Sequence, residues 1–190
     1  MLTPVLLFCG AFDPITKAHM LMLELSIKTR AFEEIWIMPS GDRTDKKYRA
    51  SDEDRIAMCN IVVDIYKAQF PKLQVSRFEM DKNETIDTYF TIKDLQAQYP
   101  DRDFYFFLGS DILPSMFEWP YADELIKIAK FLIAYRQDYP INDEDLNKLK
   151  SYKLMDELLK QQGKDTAMSD VSSTMAREQI KRGEVSLHTL

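Results

Sequence analysis

The sequence predicts an α/β fold: a parallel sheet with helices on both faces, in one domain across residues 1–190. Three observations carry this expectation. Short apolar runs alternate with helix-periodic stretches almost to the C-terminus. One of those runs, Phe104-Tyr105-Phe106-Phe107-Leu108, is apolar throughout, as expected of a strand deep in a parallel sheet. A chain of 190 residues with 45% apolar content also suffices for one proper core.

The elements follow in order. Val5-Leu6-Leu7-Phe8 reads as a buried first strand, and the apolar period from Met20 to about Lys28 as the first helix. Glu34-Ile35-Trp36-Ile37-Met38 is a strand that stops at Pro39, and a polar, charged loop runs from Ser40 to Ala50. Ser51-Asp52-Glu53-Asp54 has the look of a capped helix start, and this helix runs to about Phe70, before Pro71. Leu73 to Phe78 is a strand, and Ile86 to Gln98 a helix that ends near Pro100. Beyond the 104–108 strand, helical segments around Leu113 and at Ala122–Ala129 lead to the strand Phe131-Leu132-Ile133-Ala134-Tyr135. Asn142 to Lys164 is charged and helix-prone with little sign of a core of its own, and a last helix begins near Thr174. Alternation of this kind gives a Rossmann-like sheet with right-handed crossovers and ligands at the carboxyl ends of its strands.

Composition narrows the function classes. Lys and Arg number 25 against 31 Asp and Glu, for a net charge of −6. An acidic chain with no long basic run is a poor general binder of nucleic acid. Cys9 and Cys59 lack metal-ligand spacing and read as reduced, buried thiols. The N-terminus has no basic n-region, and its apolar run is too short for a signal peptide or a membrane span. The expectation is a cytoplasmic protein with no membrane partner.

Four groups of residues carry chemistry. Gly10-Ala11-Phe12-Asp13-Pro14-Ile15-Thr16-Lys17-Ala18-His19 joins the first strand to the first helix. There Gly10 allows a sharp bend, the amides near Ala11 and Phe12 face an anion, Thr16 caps the helix and His19 stands in its first turn. The plain alternative is a capped helix with an exposed histidine. Val171-Ser172-Ser173-Thr174-Met175-Ala176-Arg177 offers hydroxyl and amide donors at a helix start, with Arg177 one turn in. An ordinary N-cap beside a solvated arginine is the alternative. In Asp45-Lys46-Lys47 a lysine can reach phosphates, or simply be surface charge. Gly109-Ser110-Asp111 places a carboxylate just past a strand, where ribose hydroxyls are accepted. Trp119 offers an indole face for stacking, or a core anchor.

Together these segments resemble the nicotinate/nicotinamide-mononucleotide adenylyltransferases over nearly the whole chain. The 10–19 segment is similar to their G-x-F-D-P-[IV]-[HT]-x-G-H motif, and the 171–177 segment to I-S-S-T-x-x-R. Asp54-Arg55-Ile56-Ala57-Met58, Thr85-Ile86-Asp87-Thr88, Gly109-Ser110-Asp111 and Trp119 fall between them in the family's order. Phosphopantetheine adenylyltransferase, which also has Thr at the position of Thr16, is the alternative branch. A nucleotide-binding homologue without turnover is the alternative from another class. Ala18 replaces the family glycine, and Cys9 the first glycine of a pair.

The resemblance implies ATP and a pyridine mononucleotide as substrates, with Mg2+ riding on the ATP phosphates. It implies that Gly10, Ala11, Phe12, Thr16, Ser173 and Thr174 bind ATP. His19 and Arg177, with Lys46, would act on the triphosphate. Gly109 and Asp111 would border the adenosine ribose, and Phe12, Thr85 and Trp119 the mononucleotide.

Overall fold

The computed structural model describes residues 1–42, 47–82, 84–136 and 138–163. Its strands are β1 (Thr3–Gly10), β2 (Glu34–Pro39), β3 (Leu73–Val75), β4 (Arg102–Gly109), β5 (Lys130–Ala134) and β6 (Tyr152–Leu154). They form one parallel sheet in the order β3-β2-β1-β4-β5-β6. The helices are α1 (Lys17–Lys28), α2 (Asp52–Tyr66), α3 (Thr88–Gln98), α4 (Leu113–Met116), α5 (Ala122–Ile128), α6 (Asp143–Lys148) and α7 (Met155–Gln161).

The strand pleat sorts the apolar side chains into two cores, which is why helices cover both faces. Leu6 and Phe8 of β1, Ile35 and Ile37 of β2 and Leu132 of β5 face α1, α2 and α7. Val5 and Leu7, Trp36 and Met38, and Phe131 and Ile133 face the side covered by α3, α4, α5 and α6.

The structure revises several boundaries. β3 ends at Val75 rather than Phe78: the Ser76 amide still donates to Ile37, but Pro39 has no N–H to extend the ladder. α2 ends at Tyr66, where the amides of Gln69 and Phe70 both return to the Tyr66 carbonyl and close the last turn. Its start is as the sequence indicates, with the Ser51 hydroxyl accepting the Asp54 amide at 3.1 Å. The charged 142–164 region holds more than helix. It contributes β6, a sixth strand on the edge of β5, and α7, whose Met155 and Leu159 are fully buried against the first core.

The register sets the site. Gly10 pairs with Pro39, Gly109 with Ala134, and Leu7 with Phe106, so Gly10 and Gly109 end the two central strands at one level. Strands run outward from β1 to one edge and from β4 to the other, so the crossovers part between Gly10 and Gly109. This switch point is where a sheet of this kind leaves a crevice for a ligand.

Candidate active site

The turn after β1 is shaped by Phe12. Its φ of 46° puts a bulky residue in the left-handed region, a strained choice maintained by its surroundings. The ring is 1% exposed, stacked on Phe8 at 6.0 Å between centroids and edge-on to His19 at 5.2 Å. Gly10 is needed for a different reason from the flexible bend expected of it. A Cβ there would lie 2.9 Å from Phe12 Cε1, so the glycine makes room for the ring while Phe12 takes the unusual backbone. Burial of the ring leaves Phe12 its main chain to offer a ligand. The next residue, Asp13, is joined to Pro14 by a cis peptide. Its carboxylate accepts the amides of Arg49 at 2.7 Å and Ala50 at 3.1 Å. Those two backbone donors hold the Asp13 carboxyl below the usual carboxylate range.

Thr16 is the N-cap of α1, with extended backbone, and His19 sits at the third helical position. The Thr16 backbone N–H donates to His19 Nδ1 at 3.0 Å, and the Thr16 hydroxyl lies 2.9 Å from the same nitrogen. A nitrogen that accepts a backbone N–H carries no proton, so the ring is the Nε2–H tautomer. The cap therefore makes Nε2 the donor nitrogen of His19. Ala18 lies within the first turn of α1 and is 5% exposed, so its methyl group is packed inside the protein.

A buried cation supports this turn from behind. Arg55 of α2 is 0% exposed. Its Nη1 donates to the Ala11 carbonyl at 2.9 Å and the Ser40 carbonyl at 2.8 Å, and Nη2 to Asp52 Oδ1 at 2.7 Å. Tyr48 covers the guanidinium with its ring, 3.9 Å from Cζ to the centroid.

The opposite wall is the end of β4. Gly109 leaves space for Asp111: a Cβ at Gly109 would lie 2.4 Å from Asp111 Oδ1. Asp111 Oδ2 accepts Arg136 Nη1 at 2.7 Å, while Oδ1 is buried with no hydrogen-bond partner among the described residues. The Ser110 hydroxyl accepts the Arg136 amide at 2.8 Å and donates to the Tyr139 carbonyl at 2.7 Å. Sequence reasoning missed Arg136. It is a lone arginine after β5, and only the β4–β5 pairing sets it beside Asp111.

Thr85 is exposed ahead of α3, and Trp119 is half-buried, edge-on to Phe106 at 6.3 Å. Their segments meet where Tyr89 stacks on Tyr121 at 5.6 Å and Phe90 packs edge-on to the same ring at 4.8 Å. Tyr121 has a left-handed backbone, φ 59°, at the N-cap of α5. Lys46, Ser173, Thr174 and Arg177 lie outside the described residues.

Cys9 and Cys59 are free. Burial, and for Cys9 also the nearby Glu79 carboxylate, pushes both thiols up, Cys59 to about 12. The shift favours the neutral thiol in both. An open recess lined by Glu34, Trp36, Gln74 and Arg102 lies toward the amino ends of β2 and β4, on the other edge of the sheet. Its cations are already matched, Lys72 by Glu33 and Arg102 by Glu34. Among the described residues no helix is long and apolar enough to cross a membrane.

Comparison with known proteins identifies the family. The family described as Cytidylyltransferase-like matches residues 7–179. A Clostridium botulinum (strain Loch Maree / Type A3) protein named "Probable nicotinate-nucleotide adenylyltransferase" is 30% identical over 185 residues, covering 94% of this chain and 88% of that one. A Mycolicibacterium vanbaalenii protein of the same name is 31% identical over 140 residues, covering 73% and 64%. The Plasmodium falciparum nicotinic acid mononucleotide adenylyltransferase complexed with NaAD superposes with a TM-score of 0.77 at 28% identity, covering 93% of this chain and 83% of that one. The same Plasmodium falciparum enzyme complexed with APC gives 0.74 at 26% identity, with the same coverage. This chain belongs to the cytidylyltransferase-like family and, within it, to the nicotinate-nucleotide adenylyltransferases, nucleotidyltransferases of NAD biosynthesis.

Proposed function

We propose that this chain joins ATP to nicotinate mononucleotide, releasing pyrophosphate and the dinucleotide, with His19 as the donor that stabilises the reacting phosphates. The observation that carries this is the capped imidazole. Thr16 occupies Nδ1 and so makes Nε2–H the donor of a histidine in the first turn of α1, the helix that follows β1. The names of the relatives favour a pyridine mononucleotide over phosphopantetheine as acceptor, and nicotinate over nicotinamide.

An oxygen of the mononucleotide 5′-phosphate attacks the α-phosphorus of ATP in line. The new P–O bond forms as the bond to the bridging oxygen breaks, and pyrophosphate leaves with that electron pair. The nucleophile is already an anion, so no general base is required. The chain has to position the reactants and meet negative charge with fixed donors. His19 and the amides near Ala11 and Phe12 do this from one wall, with Lys46, Ser173, Thr174 and Arg177 assigned to the triphosphate. From the other wall, Gly109 and Asp111 meet the adenosine ribose. Asp111 Oδ1, buried and without a partner among the described residues, is the acceptor that a ribose hydroxyl fits. Thr85 and Trp119 border the mononucleotide.

Mg2+ is proposed to enter on the triphosphate and neutralise charge there. In this reading the ion is held mainly by phosphate oxygens rather than by side chains of the chain. The cytoplasmic location expected from the sequence belongs to the same reading.

The test is pyrophosphate release from ATP and Mg2+, with nicotinate mononucleotide, nicotinamide mononucleotide or phosphopantetheine offered separately. Release is expected with nicotinate mononucleotide, and His19→Ala should lower kcat by about 10²–10³ with the fold intact. Release with phosphopantetheine alone overturns the substrate assignment. ATP binding with silence toward all three acceptors makes the chain a nucleotide-binding homologue. Near-normal turnover of His19→Ala removes His19 from the mechanism.

A further inference from the structure

We infer that Arg55 is a positioning residue for the reaction: its buried guanidinium sets the turn that carries Phe12 and His19 against the loop after β2. The inference rests on the reading that this turn holds the reacting phosphates.

Burying a cation is costly, and a buried ion pair replaced as a whole by well-packed apolar side chains often leaves stability unchanged, so stability alone does not account for the pair Arg55 makes with Asp52. What Arg55 supplies instead is a planar fork of fixed geometry. One nitrogen, Nη1, bridges two backbone carbonyls from different loops, Ala11 after β1 and Ser40 after β2. The other terminal nitrogen is held by Asp52 at the start of α2. The fork thereby fixes the separation of two loop carbonyls at the carboxyl edge of the sheet. Tyr48 closes over the guanidinium, and its hydroxyl donates to the Gly41 carbonyl at 3.2 Å. The same stretch returns two amides, those of Arg49 and Ala50, to Asp13. The turn is therefore held on both sides of Phe12, by its Ala11 carbonyl and its Asp13 carboxylate.

Contacts continue from there to the donor. Ala11 precedes Phe12, whose strained backbone places the ring edge-on to His19. A turn allowed to relax moves that ring and with it the imidazole. Arg55 touches neither reactant in this account; it acts through the turn. Lysine keeps the charge but offers a point donor with no fork, and cannot hold both carbonyls and Asp52 in the same plane.

The experiment is a double-mutant cycle on kcat, with folding checked by circular dichroism and thermal midpoint. Arg55→Lys is expected to lower kcat about 10–100-fold, the cost of a misplaced catalytic group, and to change the KM for ATP far less. In a His19→Ala background the same substitution should cost no more than about threefold, because the group it positions is gone. A merely structural role predicts the full loss in both backgrounds, and that result overturns the inference. So does wild-type turnover in Arg55→Lys while His19→Ala is impaired, which leaves the reading of the turn standing. If His19→Ala is itself without effect, the reading of the turn fails and the inference with it. Should Arg55→Lys not fold, Asp52→Ala takes its place, freeing Nη2 alone. A fall in kcat of about threefold or more is expected for the loss of that charged hydrogen bond, absent in the His19→Ala background. An unchanged kcat overturns the inference.

Discussion

The two walls of the crevice are built by opposite means. At the β1/β2 end, Arg55 is fully buried and bonded to two backbone carbonyls and a carboxylate, and Asp13 takes two backbone amides. At the β4/β5 end, the charged pair is Arg136 and Asp111, whose side chains are 33% and 19% exposed, and Asp111 Oδ1 has no hydrogen-bond partner among the described residues. The first wall sets one arginine and two aspartates, Asp13 and Asp52, beside a glycine, and the second one arginine and one aspartate. They differ in what the charges hold: backbone groups as well as a carboxylate on the first wall, a side-chain ion pair on the second. A buried charge bonded to main chain sets backbone geometry and is expensive to disturb. An ion pair near the surface is screened and can yield to a ligand. The stiff wall carries the proposed phosphate donor, and the softer wall faces the ribose.

The sharpest way to break this comparison is to remove each arginine. Arg55→Met strips two half-buried carbonyls of their donor, and should cost roughly 2–4 kcal/mol, toward the low end of 1–3 kcal/mol for each acceptor left bare. Arg136→Met breaks a half-buried pair and should cost less, on the order of 1–2 kcal/mol. Urea denaturation of the two variants measures the difference, and equal losses would erase the distinction between the walls.

The two glycines test it at smaller amplitude. Gly10→Ala drives a Cβ to 2.9 Å from the buried Phe12 ring, and overpacking of that kind costs about 1–3 kcal/mol of stability. Gly109→Ala drives one to 2.4 Å from Asp111 Oδ1 and 3.2 Å from Arg136 Cδ. That change should appear in ligand binding, as an ATP Kd raised about tenfold through loss of a charged hydrogen bond, with little change in stability. Calorimetric titration and denaturation of both proteins give the contrast.

The smallest effect is an acid one. The Asp13 carboxyl lies below its ordinary value in the folded protein because Arg49 and Ala50 donate their amides to it. Its contribution to stability is fully present above the ordinary carboxylate value and is lost as pH falls through the lowered folded value. Asp13→Asn should flatten the acid limb of the stability profile and leave it unchanged at neutral pH in slope. An acid limb identical in both proteins would take Asp13 out of the stiff wall.

Much of this architecture is legible in the chain. The all-apolar Phe104–Leu108 run lies in β4, at the middle of the sheet, because only a strand covered on both faces tolerates such a sequence. The Ser51 cap and the Thr16–His19 helix opening are local, and local spacing finds them. β6 escaped because Tyr152, Lys153 and Leu154 form a short edge strand with no alternation, and Tyr152 is 40% exposed. Gly10 was legible as a necessary glycine, but not for the reason found, since its neighbour in question is a side chain two residues on.

The order of apolar and polar residues by itself determined the strand–helix alternation, the two-faced cover of the sheet and the place of the β1–α1 turn. Those follow from periodicity and capping, which act over a few residues. Only the tertiary structure decided that Arg55 reaches Ala11 across 44 positions of chain, that Asp13 receives amides 36 and 37 positions away, and that Arg136 meets Asp111 25 positions back. Such pairings depend on strand order and register, and a buried charge shows its partners only after the chain has closed around it.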